Sequence, residues 1–219
     1  MSIKDNLLQI KSQLPESITL VAVSKTKPVS DLMEAYNAGQ RVFGENKIQE
    51  MTEKWEQMPK DIQWHMIGHV QTNKVKYMAE YVSLIHGVDS LKLLQEINKQ
   101  AAKHNRVIDC LLQMYIAEEE TKFGLDEKEL EDILHFVQND KLQNIKVVGL
   151  MGMATFTDNQ TQIKKEFFNL KSTFDKINSL SIVNYQLSII SMGMSGDYNL
   201  AIECGSTMVR IGSSIFGGR

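Results

Sequence analysis

The sequence predicts an α/β protein, folded as a single (β/α)8 TIM-type barrel with an extra N-terminal helix. Eight short, β-branched, apolar runs alternate along the chain with segments of helical periodicity, which is the pattern of a parallel sheet with helices outside it. No linker, low-complexity segment or repeat divides the chain, so we expect one domain over residues 1–219. Eight strand–helix units that close on themselves form this barrel.

The elements follow in order from the chain. The amphipathic, charged segment 1–14 predicts the leading helix. The predicted strands are 18–24, 42–43, 63–67, 81–86, 107–116, 147–151, 186–190 and 207–211, and the helices between them are 29–38, 47–57, 72–79, 91–104, 127–137, 160–178 and 195–203. A doubly wound sheet is the alternative because the third and seventh strands are weakly marked. The first strand lacks a following G-x-G-x-x-G, which disfavours dinucleotide binding.

Composition excludes several classes of protein. With 42% hydrophobic residues and a net charge of −3, the chain is neither disordered nor basic enough for broad nucleic-acid binding. No apolar run reaches the roughly 18 residues of a membrane span, and residues 1–14 do not resemble a signal peptide. Cys110 and Cys204 lie in apolar surroundings, so we expect reduced core thiols in a cytoplasmic protein. Any anionic ligand must therefore be held by a local site.

Lys25 directly follows the first predicted strand. Active sites of such barrels form at the carboxyl ends of the strands. Alternation aligns Lys25 with Val21 and Val23, at the rim of an apolar interior. Loss of water there favours the neutral, nucleophilic amine that a Schiff base requires, although a rim lysine that reaches into solvent is an equal alternative. Lys27, before Pro28, is expected to lie at the surface or to support the rim.

The ends of the last two strands predict an anion site. Arg210 interrupts Val209 and Ile211, and we expect it to face the barrel mouth because an unpaired arginine under the helices would be costly. Gly212 and Ser213 then offer backbone N–H and hydroxyl groups. After strand seven, the glycine-rich segment 191–197 contains Ser195, which resembles a helix N-cap. Phosphate commonly binds after these two strands.

Other polar residues carry weaker signals. Asn46 ends strand two and fits a ligand contact or a helix cap equally well. His65 lies on strand three, where a lone histidine is more often a core residue than a catalyst. The spacing of the histidines and cysteines predicts no metal site.

A strand-one lysine, a phosphate cradle and a strand-eight arginine together suggest pyridoxal 5′-phosphate (PLP). With these features the sequence closely resembles the pyridoxal phosphate homeostasis protein family, whose barrel is similar to the N-terminal domain of alanine racemase. The segments that carry the resemblance are AVSKTKP (22–28), FGEN (43–46), HMIGHVQTNK (65–74), KFG (122–124), GLM (149–151) and the stretch from SMGMSGD to IFGGR (191–219).

The resemblance implies a set of cofactor-binding residues. It makes Lys25 the residue that forms the Schiff base and Arg210 the partner of the pyridine nitrogen. It gives the phosphate to Ser195, Gly212 and Ser213. The remaining implied contacts are Met194 near the phosphate, Asn46 and His65 at the ring edge or wall, and Lys122, whose role is open.

The resemblance implies a binding protein for intracellular PLP homeostasis, which buffers the cofactor and passes it to apoenzymes, without dedicated catalysis. An arginine on the pyridine nitrogen keeps that nitrogen unprotonated and weakens carbanion chemistry. Eight strand–helix units also use the 219 residues, which leaves little chain for a lid. A PLP-dependent racemase-like enzyme and a lyase that uses Lys25 without a cofactor are the alternatives. We expect a monomer.

Overall fold

Eight parallel strands close into a barrel in the computed structural model, which describes residues 2–118, 123–140, 142–180, 182, 184 and 186–218. The strands are β1 Thr19–Val23, β2 Val42–Glu45, β3 Gln63–Met66, β4 Leu84–Val88, β5 Ile108–Gln113, β6 Ile145–Met151, β7 Ile189–Met194 and β8 Met208–Ile211. Each strand pairs with the next along the chain, and β8 pairs with β1. The predicted barrel is confirmed.

Helices cover the outside of the barrel. They are α1 Ile3–Gln13, α2 Val29–Asn37, α3 Ile48–Gln57, α4 Leu91–Lys103, α5 Glu127–Asp140, α6 Gln160–Leu180, α7 Tyr198–Glu203 and α8 Ser213–Phe216, with a 3₁₀ helix at Thr72–Tyr77 between β3 and β4. The predicted leading helix is α1, which begins with a capping box between Ser2 and Asp5. It packs against α8, where the Asn6 side-chain amide donates to the carbonyl of Ile215.

Strand alternation divides the core into two layers. A small cluster that includes Val21, Leu111 and Met208 fills the barrel interior, whereas a larger one that includes Leu20 and Val209 lies between the strands and the helices. Because Arg210 follows Val209, it belongs to the inner face, and it is only 4% exposed.

Cys110 and Cys204 are buried free thiols, as the sequence predicts. Among the described residues, no helix is long and apolar enough to cross a membrane.

Several predicted boundaries differ from the structure. The strand predicted over 81–86 is β4 Leu84–Val88, so it is wrong at both ends. The helix predicted over 72–79 is a shorter 3₁₀ helix. Strand β5 ends at Gln113, although the apolar run continues to residue 116. Strand β7 spans Ile189–Met194, so the prediction of 186–190 is wrong at both ends. Its register shifts between Ser191 and Met194, and Gly193 has a φ of +91°, so a bulge continues the strand through residues that resemble a turn.

We predict that Gly149→Ala will strongly destabilise the barrel. Gly149 pairs with Ile189, and an added β-carbon would lie 1.9 Å from the carbonyl oxygen of Ile189. Relief of that overlap must separate β6 from β7, at a cost of about 3 kcal/mol or more. The melting temperature should fall by roughly 6–12 °C. Gly218→Ala is the control because open space surrounds its added methyl group, and equal melting temperatures for the two variants would contradict the prediction.

Candidate functional site

A cavity of about 580 Å³ opens at the carboxyl ends of the strands. That volume falls within the usual range for small-molecule sites. Seven of the eight residues predicted to bind the cofactor line it: Lys25, Asn46, Met194, Ser195, Arg210, Gly212 and Ser213. The structure therefore brings together residues from the ends of β1, β2, β7 and β8. The eighth residue, His65, is not among the lining residues.

Strand β1 delivers Lys25 to the cavity. Val23 and Lys25 both line the cavity, as their alternation on one face of the strand predicts. Lys25 is half-buried. Immediately after it, Thr26 takes a left-handed conformation with a φ of 64°, which is uncommon for a β-branched residue. Lys27 also lines the cavity, and its Nζ donates to the carbonyl of Gly218 at 3.0 Å, so it supports the rim as expected.

The loops after β7 and β8 are joined by a hydrogen bond. The backbone N–H of Gly212 donates to Oγ of Ser195 at 3.2 Å. The prediction that Ser195 caps the next helix is wrong, because α7 begins at Tyr198 with Asp197 as its N-cap. The Asp197 carboxylate instead accepts the N–H of Met194 and ties the loop to the end of β7. Burial raises the pKa of Asp197, which also lines the cavity.

Arg210 is held at the floor of the cavity by the barrel backbone. Its Nη1 donates to the carbonyl of Ser191 at 2.8 Å and to Oγ of Ser191 at 2.7 Å, and its Nη2 donates to the carbonyl of Gly152 at 3.1 Å. Burial lowers the pKa of Arg210 to about 10, so the guanidinium stays positively charged at neutral pH. The predicted orientation toward the barrel mouth is confirmed.

A chain of buried side chains runs from Arg210 to His65. Oγ of Ser191 lies 3.0 Å from Nδ1 of His86, and Nε2 of His86 lies 3.0 Å from Nδ1 of His65. Since arginine only donates, we assign the hydroxyl hydrogen of Ser191 to His86 and the His86 hydrogen to Nε2. Burial lowers the pKa of His65 to about 3 and that of His86 well below its usual value. His65 is therefore a neutral residue behind Arg210.

Several lining residues were missed by the sequence analysis. On the β3 side, Nδ1 of His69 lies 3.1 Å from an Asp89 carboxylate oxygen, and its ring meets Phe123 edge-on at 5.1 Å. Gln113, at the end of β5, donates to the carbonyl of Phe123. Phe156 is 94% exposed, yet it also lines the cavity. His69 and Phe123 stand in two of the segments that carry the resemblance, but their place in the cavity was not predicted because the loops that carry these residues come together only when the barrel closes.

Two further sequence expectations concern Lys122 and metal binding. Lys122, in the K-x-G element, lies outside the described residues. Within the described ranges, no group of three or more histidine, cysteine or acidic side chains is arranged to hold a metal ion.

The whole chain matches a family model and is similar in sequence to several known proteins. The family model of the alanine racemase N-terminal domain matches residues 1–219. A pyridoxal phosphate homeostasis protein of Pasteurella multocida is 38% identical over 100% of this chain and 98% of its own length. One of Schizosaccharomyces pombe is 40% identical over 96% of this chain and 90% of its own length.

Solved structures share the fold over the whole barrel. PipY of Synechococcus elongatus, solved with PLP bound, is 33% identical and covers 99% of this chain and 100% of its own, with a TM-score of 0.91. Alanine racemase of Clostridium difficile superposes with a TM-score of 0.81 at 17% identity, over 100% of this chain and 60% of its own. The second likeness concerns the fold alone.

Proposed function

The chain belongs to the pyridoxal phosphate homeostasis protein family, and from that premise we propose that it binds PLP reversibly on Lys25 and buffers the cofactor in the cytoplasm for delivery to apoenzymes. The observation that carries the proposal is the convergence of a half-buried lysine, a glycine- and serine-rich anion cradle and a buried arginine on one cavity.

The lining residues fit the chemistry of this cofactor. PLP supplies a reactive aldehyde, a phosphate and a pyridine nitrogen. Lys25 offers the amine, and Ser195, Gly212 and Ser213 offer hydroxyl and N–H groups to the phosphate. The backbone of Gly212 lies close to the backbone of Val23, since a β-carbon added at Gly212 would lie 3.0 Å from the carbonyl oxygen of Val23. Asn46 and Met194 form part of the cavity wall. His65 does not line the cavity and is connected to Arg210 through His86 and Ser191.

Schiff-base chemistry makes such holding reversible. Lys25 would hold PLP as a Schiff base, in which the Lys25 nitrogen replaces the aldehyde oxygen and that oxygen leaves as water. Hydrolysis reverses each of these changes and returns the free aldehyde. A chain that stores and releases the cofactor therefore needs no further reactant than water.

Arg210 favours a carrier over an enzyme. A guanidinium has hydrogens to donate and no lone pair to accept one, so a pyridine nitrogen that faces it stays unprotonated. An unprotonated ring is a weaker electron sink for carbanion chemistry. Three hydrogen bonds to Ser191 and Gly152 hold this guanidinium in place. We propose that the chain acts as a monomer without dedicated catalysis.

A racemase-like PLP enzyme is the second candidate, and His69 is the observation that favours it. The Asp89 carboxylate orients this imidazole at the cavity wall, which is the arrangement of a general base. Lys25 and His69 would then supply two proton-transfer groups to one cavity.

Direct transfer of the cofactor tests the proposal. PLP-loaded protein is mixed with a PLP-dependent apoenzyme in the presence of a phosphatase that destroys free PLP. We expect the apoenzyme to regain activity despite the phosphatase, whereas the same amount of free PLP fails to restore it. No recovery would reject the carrier, and sustained amino-acid turnover that is lost in Lys25→Ala would favour the racemase.

A further inference from the structure

A largely buried charged cluster outside the cavity holds the backbone on both sides of Lys25. It consists of Ser24, Glu45, Glu50 and Lys54, and we name it the clamp cluster. We propose that Glu50 and Lys54, on α3, are positioning residues that fix Lys25 for covalent capture of PLP. This inference rests on the proposed function of Lys25.

Alternation of the strands separates the clamp cluster from the cavity. Val23 and Lys25 face inward, so Ser24 points outward toward the helices. On β2, Glu45 shares the outer face with Phe43, a member of the outer core layer. Lys54 reaches this layer from α3 and is 5% exposed.

The ammonium of Lys54 organises the clamp cluster. Its Nζ donates to the carbonyl of Ser24 at 2.8 Å, to Oε1 of Glu45 at 2.7 Å and to Oε1 of Glu50 at 2.7 Å. The three hydrogens of an ammonium match these three acceptors. Oγ of Ser24 adds a further hydrogen bond to Glu45 at 2.6 Å.

The clamp cluster holds both peptide groups that flank Lys25. Lys54 binds the carbonyl of Ser24, in the peptide that enters Lys25. Oε1 of Glu50 accepts the N–H of Thr26 at 2.5 Å, in the peptide that leaves Lys25. Thr26 is the residue with a φ of 64°, so Glu50 stabilises an uncommon conformation next to the lysine. With both peptides fixed, the direction in which the Lys25 side chain leaves the backbone is fixed as well.

Fold stability alone does not explain this arrangement. Burying an ion pair costs solvation that its attraction offsets only in part. Glu45 is fully buried, and its Oε2 has no hydrogen-bond partner within the described ranges. An apolar side chain would fill the outer core layer without that loss of solvation, but it could not donate a hydrogen bond to the carbonyl of Ser24.

The test separates the hydrogen-bond acceptor at Glu50 from its charge. Glu50 is only part-buried, so its variants are expected to fold. Glu50→Ala removes the acceptor for Thr26, Glu50→Gln keeps a carbonyl oxygen there, and Glu53→Ala removes an exposed carboxylate of the same helix as a control. The measurements are the rate of Schiff-base formation with added PLP, followed by absorbance, and amide hydrogen exchange at Thr26 in the protein without PLP.

We expect Glu50→Ala to slow Schiff-base formation about tenfold and to speed Thr26 exchange, with Glu50→Gln within about threefold of wild type. Glu53→Ala should match wild type. Equal slowing by Ala and Gln, or an Ala variant equal to the Glu53 control, would overturn the inference. If the wild-type chain forms no Schiff base at Lys25, the proposed function itself fails, while Thr26 exchange still tests the clamp cluster.

Discussion

Lys25→Ala is expected to abolish covalent PLP binding completely while leaving the barrel folded. The side chain lies at a half-buried rim, and its removal creates no cavity in either core layer. Noncovalent contacts at the phosphate cradle would remain, but no amine would stand at the position that Lys25 occupies. The visible absorbance of the loaded protein should disappear, and borohydride reduction should attach no cofactor to the peptide that spans residue 25.

Lys27→Ala is the matched control for that experiment. Lys27 is a half-buried lysine of the same cavity, two residues along the chain, and its Nζ is bound to the carbonyl of Gly218. This variant should keep the visible band and the reducible adduct at Lys25. If the visible band persists in Lys25→Ala, or is lost in Lys27→Ala, the assignment of Lys25 as the cofactor-binding lysine is wrong.

Acid is expected to destabilise the protein steeply below about pH 6.5. His65 and His86 are buried and neutral, and burial lowers the pKa of His65 to about 3 and that of His86 well below its usual value. Between pH 3 and 6.5 the unfolded chain therefore binds protons that the folded chain excludes, so stability falls as the pH falls. Each histidine contributes about 1.4 kcal/mol per pH unit, or about 4 kcal/mol for the pair between pH 6.5 and 5.

Urea unfolding at pH 7 and pH 5 measures this difference. His65→Gln removes one of the two groups and should halve the fall in the free energy of unfolding. His104→Gln, at an exposed position, should retain the full fall. If His65→Gln has the same pH dependence as wild type, the histidine chain behind Arg210 is not the source of acid sensitivity.

Local patterns in the sequence predict the barrel and most of its cavity. The alternation of side chains along a strand predicts that Lys25 and Arg210 lie on the inner face of the barrel, and both line the cavity there. Gly212 and Ser195 predict the anion cradle because glycine leaves its backbone N–H accessible and the serine hydroxyl lies close to the backbone. These signals lie within one strand and the loop that follows it.

Contacts between distant elements could not be predicted. Ser195 binds Gly212 across two loops instead of capping its own helix, since the bulge at Gly193 extends β7. His65 forms a hydrogen bond with His86, a residue of the neighbouring strand, and does not line the cavity. Lys54 resembles a surface lysine of an amphipathic helix, and only its encounter with Glu45 on β2 makes it a buried group.

The bond between Ser195 and Gly212 bears on how firmly the site can grip an anion. A phosphate that takes the N–H of Gly212 must first displace the hydroxyl of Ser195, which is then free to turn and donate to the same phosphate. Phosphate binding and release thus exchange one acceptor of the Gly212 N–H for another, and this N–H is hydrogen-bonded in both states. Such an exchange keeps the net free-energy gain of phosphate binding small, and a small gain suits the release that the proposed carrier function requires.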